Sequence, residues 1–348
     1  MPDLPPTPRT LGGVRRKAMN VAPRQLVSER LLSADHALPL VLEPAVEGVD
    51  LAAWAASERD ALEQKLLQHG ALLFRGFGVN SVEQFDQVIA ALSPGALEYM
   101  FRASPRTRVG GNIYTSTDYP ADQMIFPHNE HSYSPRFPLR LFFYCQLPSE
   151  TGGQTPIGST RSVKSRISSD IQARFREKGV LYVRNYGDGF GLPWQSVFQS
   201  SERSDVEAYC ASVGIEVEWK ANNRLRTRQR GPAVVRHPRT GEEVWFNHAT
   251  FFHISTLPAA IRDSLQGNFS DLDLPTNTFY GDGTPIEPQV LHALRAAYLD
   301  SLVRFTWQQG DVLFIDNMLA VHGREPFTGK RAIMTGMAEA LLSSDVAV

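Results

Sequence analysis

Two short segments of this chain carry metal-binding side chains, and more than half of the chain lies between them. The first contains His128 and Glu130, and the second contains His322. The residues around His128 favour extended backbone, where residues i and i+2 share a face, so His128 and Glu130 can bind one ion together. A fold that adds His322 must bring distant segments to one place. A jelly roll meets this requirement, because its strands line a common mouth.

Two histidines and one carboxylate on one side of a metal ion leave coordination positions open. Non-haem Fe(II) oxygenases use this arrangement, and catalytic zinc can use the same ligand types. Each motif alone is a weak signal, because a single histidine is more often a core or surface residue. If the strand continues, Asn129 points away from the metal and makes a structural hydrogen bond, and His131 lies on the face opposite to Glu130.

Composition and charge argue against several other functions. The chain has 348 residues, of which 42% are hydrophobic and 21% are charged, as in ordinary globular proteins. The formal net charge of -2 gives no electrostatic reason to expect nucleic acid or an anionic membrane as a partner. No apolar run approaches the roughly 18–20 residues of a transmembrane helix. With two cysteines, Cys145 and Cys210, and no apolar secretory signal, we expect a cytoplasmic protein.

The pattern of apolar residues predicts a mainly β protein with flanking helices. Residues 1–30 are rich in proline and arginine, so we expect a flexible or partner-clasping arm there. Residues 31–348 are expected to form a single domain. Strand patterns dominate from residue 126 to 338, and residues 303–307 are predicted to form a hairpin with residues 312–316. The expected core is a double-stranded β-helix, the jelly-roll fold.

Four motifs carry a family resemblance, and two of them contain the metal-binding segments. They are Pro127-His128-Asn129-Glu130, Gly152-Gly153-Gln154-Thr155-Pro156, Gly179-Val180 with Arg184-Asn185-Tyr186, and the run from Gly310 to Arg331. Together they resemble the taurine/2-oxoglutarate dioxygenase family and, within it, the syringomycin-biosynthesis branch of amino-acid β-hydroxylases. The resemblance covers most of the chain from about residue 70 to 340.

This resemblance implies a metal, a co-substrate and roles for five residues. His128, Glu130 and His322 would bind Fe(II), which 2-oxoglutarate would chelate and to which O2 would bind. Arg331 would take the distal carboxylate of 2-oxoglutarate, since a planar guanidinium meets a carboxylate with two parallel hydrogen bonds. Thr155 would donate a further hydrogen bond to that carboxylate. Related halogenases have a small residue in place of Glu130, so Glu130 favours hydroxylation or desaturation.

The substrate-binding residues are less clearly marked. The candidates are Asn112, Tyr114, Arg224, Arg226 and Asn247. Because Arg224, Arg226 and Arg228 alternate, they would share one face of a strand and could clamp a substrate carboxylate or a carrier's phosphate. The alternative is a solvated edge strand whose charges deter aggregation.

The segment from Trp245 to Phe252 combines apolar and polar candidates. Its aromatic residues, including Phe251 and Phe252, are expected in the core rather than in the wall of a substrate site. Asn247 and His248 could still reach that site.

The leading hypothesis is an Fe(II)- and 2-oxoglutarate-dependent dioxygenase in specialised metabolism. It would hydroxylate an unactivated carbon of a small amino-acid-like substrate, free or tethered to a carrier protein. Desaturation, or another oxidative reaction at the same iron, is the alternative. A zinc hydrolase would need a general base near Glu130 and would leave Arg331 and Thr155 without a role. A non-catalytic scaffold is disfavoured by the complete ligand set, and a homodimer is one candidate assembly.

Overall fold

Antiparallel strands dominate the part of the chain that the computed structural model describes, which comprises residues 26–98, 106–116, 119–187 and 192–348. The strands are β1 (Val27–Ser33), β2 (His36–Pro44), β3 (Ala71–Phe74), β4 (Arg108–Gly110), β5 (Ile113–Thr115), β6 (Ile125–His128), β7 (Arg136–Leu147), β8 (Thr151–Gly152), β9 (Ile157–Ser159), β10 (Val180–Tyr186), β11 (Glu216–Lys220), β12 (Arg224–Gly231), β13 (Val234–Arg236), β14 (Glu243–Trp245), β15 (Thr276–Tyr280), β16 (Leu302–Val303), β17 (Val312–Asp316), β18 (Ala320–Arg324), β19 (Phe327–Thr328) and β20 (Ala332–Leu342).

Helices lie between and around these strands. They are α1 (Leu51–Ser57), α2 (Arg59–His69), α3 (Val82–Leu92), α4 (Thr160–Arg166), α5 (Ser169–Lys178), α6 (Trp194–Phe198), α7 (Arg203–Ser212), α8 (Ala259–Asn268) and α9 (Pro288–Leu299). None of the helices in the described ranges is long and apolar enough to cross a membrane.

Two sheets face each other and form the jelly roll. The major sheet has the strand order β1-β2-β3-β17-β7-β20-β5-β4, and the minor sheet has the order β16-β9-β18-β6. The apolar layer between them combines major-sheet residues such as Phe143 and Ile315 with minor-sheet residues such as Ile157 and Ala320. This arrangement confirms the predicted mainly β fold with a double-stranded β-helix core.

The central position of β7 in the major sheet explains why its sequence is continuously apolar. Leu141 and Phe143 point into the layer between the sheets. Phe142 and Tyr144 point to the other face, where Phe85 of α3 and further residues of α1 and α2 cover the major sheet. A strand that is buried on both faces needs apolar residues at successive positions instead of an alternating pattern.

The predicted hairpin between residues 303–307 and 312–316 is wrong. β16 contains only Leu302 and Val303 and pairs with β9 of the minor sheet. β17 pairs with β3 on one side and β7 on the other, so neither edge is left for the preceding segment.

Strand β1 of the major sheet begins at Val27, close to the first residue that the structure describes. Residues 1–25, which make up most of the predicted arm, lie outside the described residues. β1 pairs with β2 from Val27 onward, so the predicted boundary at residue 30 falls within a strand. Both cysteines are buried free thiols, Cys145 in the layer between the sheets and Cys210 on α7.

Candidate metal centre and active site

The two histidines of the candidate metal centre lie opposite each other on neighbouring strands. β6 and β18 are antiparallel in the minor sheet, and their register pairs His322 with His128. The ring centroids of the two histidines are 4.6 Å apart. Glu130, which follows β6, completes a group in which one potential ligand atom from each residue lies within 4.8 Å of the others. The fold therefore brings together the three residues that the sequence singled out as metal ligands.

The backbone at Glu130 differs from the predicted extended strand. β6 ends at His128, and residues 130–133 form a turn in which His131 has a φ of 56°. His131 therefore does not lie opposite Glu130 as predicted, because its Nε2 is 3.4 Å from Glu130 Oε1. Asn129 has the structural role expected of it, since its buried Nδ2 donates to the carbonyls of Asn317 and Ala320.

The ligand atoms have the orientation that a metal requires. Nδ1 of His128 donates to the carbonyl of Phe126 at 2.8 Å, which leaves Nε2 with its lone pair towards the centre. Oε2 of Glu130 lies 4.0 Å from Nε2 of His128 and 3.6 Å from Nε2 of His322. One carboxylate oxygen thus faces both imidazole nitrogens.

Burial and a neighbouring arginine set the charge states of the group. Burial, followed by the proximity of His322, lowers the pKa of His128 to about 3, so its imidazole is neutral. Burial alone would raise the pKa of Glu130, but Arg106 and the neighbouring histidines hold it well below its usual value. A neutral imidazole and an ionised carboxylate are the forms that bind metals. Nη2 of Arg106 donates to Glu130 Oε2 at 3.0 Å, a contact that the sequence did not predict.

A small cavity on one side of this group offers a binding site for an anion. It is lined by His128, His322, Thr155 and Arg331, among others. Nε of Arg331 donates to the carbonyl of Gly153, and no carboxylate of the described residues lies within ion-pair distance of its guanidinium. Burial lowers the pKa of Arg331 to about 10, which leaves it charged at neutral pH. Thr155 Oγ1 accepts a hydrogen bond from Trp307 and so keeps its own hydroxyl proton to donate.

A much larger cavity of about 600 Å³ also borders the metal group, at His128 and Glu130. It shares Arg106, Ile125 and His128 with the small cavity. Aromatic and imidazole rings form much of its wall, namely Phe126, His131, Tyr133, His248, Phe251 and Phe252.

Phe251 is placed differently from the prediction: it lines the large cavity, and its ring centroid is 4.5 Å from that of His128. Phe252 is buried in the core as expected, and it also lines the cavity. His248, which the sequence left as a candidate, reaches the same cavity. The chain turns back over the metal group after β14, and a pattern of apolar residues cannot predict that turn. Trp245 and Phe246 are buried in the core as expected.

Three predicted substrate residues do not line either cavity. The Nδ2 group of Asn112, in the turn between β4 and β5, donates to the carbonyl of Ala96 at 2.9 Å. Tyr114 is buried in the layer between the two sheets. Asn247 donates to the carbonyl of Ala233 and accepts from the amide of Ala249, so its side chain holds local backbone.

The predicted arginine face lies elsewhere in the molecule. β12, which carries Arg224, Arg226 and Arg228, belongs to a third sheet with the order β11-β12-β10-β15. Arg226 forms ion pairs with Asp273 and Glu218, and Arg228 also pairs with Glu218. None of the three arginines lines the cavities beside the metal group. The alternative prediction, a solvated edge strand, is also wrong, since β12 pairs with β11 on one side and β10 on the other.

Known proteins resemble this chain over most of its length. The sequence profile of the family described as "Taurine catabolism dioxygenase TauD, TfdA family" matches residues 36–338. The dapdiamide synthesis protein DdaC of Enterobacter agglomerans is 38% identical over 283 residues, which cover 81% of this chain and 86% of that protein. A clavaminate synthase-like protein of Arabidopsis thaliana is 31% identical over 293 residues, with the same coverage of 81% and 86%.

A solved structure shares the fold at lower identity. It is that of PvcB, "an Fe, alpha-ketoglutarate dependent oxygenase from an isonitrile synthetic pathway". The two chains are 18% identical with a TM-score of 0.54, and the match covers 95% of this chain and 98% of PvcB. The profile match and the two relatives establish the family: the chain belongs to the TauD, TfdA family of dioxygenases.

Proposed function

We propose that this protein is a non-haem Fe(II)- and 2-oxoglutarate-dependent dioxygenase. It hydroxylates an unactivated carbon of an amino acid or amino-acid-like molecule in the biosynthesis of a specialised metabolite. The observation that carries the proposal is the pair of cavities that border the His128, Glu130 and His322 group. One cavity fits a small dianion, and the other is large and mostly apolar.

The residues of the small cavity fit 2-oxoglutarate. Arg331 presents a half-buried guanidinium, and Thr155 presents a hydroxyl proton, in the same cavity that His128 and His322 line, so both can bind the far carboxylate of a 2-oxoacid there. His128, Glu130 and His322 would hold the ion, which with 2-oxoglutarate and O2 would supply the oxidising chemistry needed at a C–H bond. The protein's own part is to orient one C–H bond and to keep water away, and the aromatic wall with Phe251 suits both tasks.

The substrate class is supported by the relatives and by the ligand type. DdaC takes its name from dapdiamide synthesis, and PvcB comes from an isonitrile synthetic pathway. A carboxylate at position 130 occupies the place that a halide would need, so hydroxylation is favoured over halogenation. Desaturation at the same site remains the alternative outcome and would be recognised by its product, which is two hydrogens lighter than the substrate.

The test is succinate formation by the protein with Fe(II), 2-oxoglutarate and O2 across a panel of amino acids, free and carrier-bound. We expect substrate-dependent succinate from the wild type and none from His322→Ala. Zinc-dependent hydrolysis without succinate would overturn the proposal in favour of a hydrolase.

Arg331→Gln tests the co-substrate site. Removing one partner of a buried, hydrogen-bonded charge pair costs about 2–5 kcal/mol, so the KM for 2-oxoglutarate should rise about 30-fold or more. Arg304→Gln is the matched control, because Arg304 is half-exposed and pairs with Glu325 away from both cavities. An unchanged KM in the Arg331 variant would contradict the assignment.

Three finer points belong to the same proposal. Presentation of the substrate on a carrier protein is supported by the size of the large cavity and is tested by the carrier-bound half of the panel. A homodimer is tested by light scattering across a range of protein concentrations. The cytoplasm suits the two free thiols, and fractionation of the native cells tests that location.

A further inference from the structure

Glu130 lacks the support that the two histidine ligands receive from their strands. His128 and His322 belong to β6 and β18, whose ladder fixes their backbones. Glu130 lies beyond the end of β6, in a turn. The position of its carboxylate therefore depends strongly on how its backbone is held.

The side chain of Asn317 makes the backbone contacts that a neighbouring strand would otherwise make. Oδ1 of Asn317 accepts from the amide of Glu130 at 2.7 Å, and Nδ2 donates to the carbonyl of Glu130 at 2.8 Å. Nδ2 also donates to the carbonyl of Pro138 at 2.8 Å. An amide side chain has one acceptor and two donor hydrogens, and here all three functions are used.

Asn317 is itself held by the major sheet. It directly follows Asp316, the last residue of β17, and its own amide donates to the carbonyl of Leu139 on β7. Its carbonyl accepts from Nδ2 of Asn129, next to Glu130. The side chains of Asn317 and Asn129 are fully buried. The major sheet therefore holds the backbone of Glu130, whereas the other two proposed metal ligands, His128 and His322, belong to the minor sheet.

We propose that Asn317 is a positioning residue for the metal centre: it fixes the backbone of Glu130 before metal binds. The inference rests on the proposed metal site but not on turnover. Ligands that are held in place lose less conformational freedom on binding, and mutation of such supporting residues typically weakens metal affinity about 10–100-fold.

The experiment measures Co(II) binding to the apo-protein under anaerobic conditions, using the visible absorption of the bound ion. Asn317→Ala should weaken Co(II) affinity about 10–100-fold and alter the spectrum. Asn185→Ala is the matched control, because the Asn185 amide also makes three hydrogen bonds, to the Leu272 and Leu274 carbonyls and from Arg226, in the third sheet. It should lose stability but keep wild-type Co(II) affinity and spectrum.

The outcomes separate this inference from the proposed function. Failure of the wild type to bind Co(II), or full binding by His322→Ala, would defeat the metal site itself. Wild-type affinity and spectrum in Asn317→Ala would defeat only the positioning role.

A second measurement needs no variant and covers the case in which Asn317→Ala does not fold. Hydrogen–deuterium exchange on the metal-free wild type should show the amide of Glu130 protected before any metal is added. Protection that arises only with Co(II) would overturn the inference, because the metal and not Asn317 would then order the turn.

Discussion

At the scale of single residues, Asp316 beside Asn317 shows how a buried charge is kept ionised. Its carboxylate is fully buried and contacts Arg140 and His237. It also accepts from the amides of Met318 and Leu319. A buried charge with this many partners adds little net stability, but removing it leaves the partner charge unsatisfied, which is costly.

We predict that Asp316→Asn lowers the free energy of unfolding by about 3 kcal/mol at pH 7. Burial alone would raise the pKa of Asp316, but Arg140 and His237 bring it below its usual value. A lowered folded-state pKa gives stability that is present above the unfolded value of about 3.9 and is lost as the pH falls through the folded value. In urea titrations, the difference in the free energy of unfolding between wild type and variant should therefore become smaller below about pH 4. A difference that does not depend on pH would contradict this assignment.

At the scale of elements, the closeness of β6 and β18 determines the metal site. A Cβ atom on Gly323 would lie 2.7 Å from the carbonyl oxygen of Ile125 and 3.4 Å from the nitrogen of Pro127. The register between the strands is irregular between His322 and Arg324. Glycine is needed at this point because backbone, which cannot rotate away, occupies the space of a side chain.

Gly323→Ala is expected to push β6 away from β18 and separate His128 from His322. Co(II) affinity should fall about tenfold or more, since metal sites tolerate little displacement of their ligands. Gly267→Ala in α8 is the control, because apart from its own helix backbone and chain neighbours no atom of the described residues lies within 4 Å of the added Cβ. In a helix that change should be neutral or stabilising by about 1 kcal/mol. Unchanged Co(II) binding by Gly323→Ala would show that the strands can shift without cost.

At the scale of the whole molecule, the metal site connects the two sheets. The two histidines come from the minor sheet, Glu130 is held from the major sheet through Asn317, and Arg331 directly precedes β20 of the major sheet. A ligand that binds all of them stabilises the contact between the sheets as well as the site.

Thermal unfolding should therefore respond to ligands. Co(II) with 2-oxoglutarate, each at about 100 times its dissociation constant, should raise the melting temperature, since binding at that excess to one site is worth about 2.7 kcal/mol. A chelator should reverse the rise, and His322→Ala should not respond to Co(II). An equal rise in the melting temperature of His322→Ala would show that Co(II) binds at another site.

The sequence could predict the convergence of the metal ligands but only part of the surroundings of the site. His128, Glu130 and His322 share a pattern with known enzymes, and Arg331 and Thr155 followed from the same resemblance. Arg106 had no such signal, because its contact with Glu130 joins two separate segments.

Strand alternation has a similar limit. It correctly places successive arginines of β12 on one face, but it does not reveal which sheet the strand joins. Phe251 likewise has the same apolar character whether it faces the core or a cavity. These positions depend on long-range packing, which a local pattern does not encode.

The strand order of the major sheet also governs how the protein can be made. β17, which begins at Val312, pairs with both β3 and β7. β20, which begins at Ala332, pairs with the other edge of β7. During synthesis, β7 therefore leaves the ribosome with both edges unpaired and stays so until residues 148–311 have been translated. Until those late strands arrive, its apolar surface must be shielded by the early helices or by chaperones. The same late segment, from Val312 onward, thus completes the sheet and supplies His322 and Arg331, so the fold and the iron site are completed together.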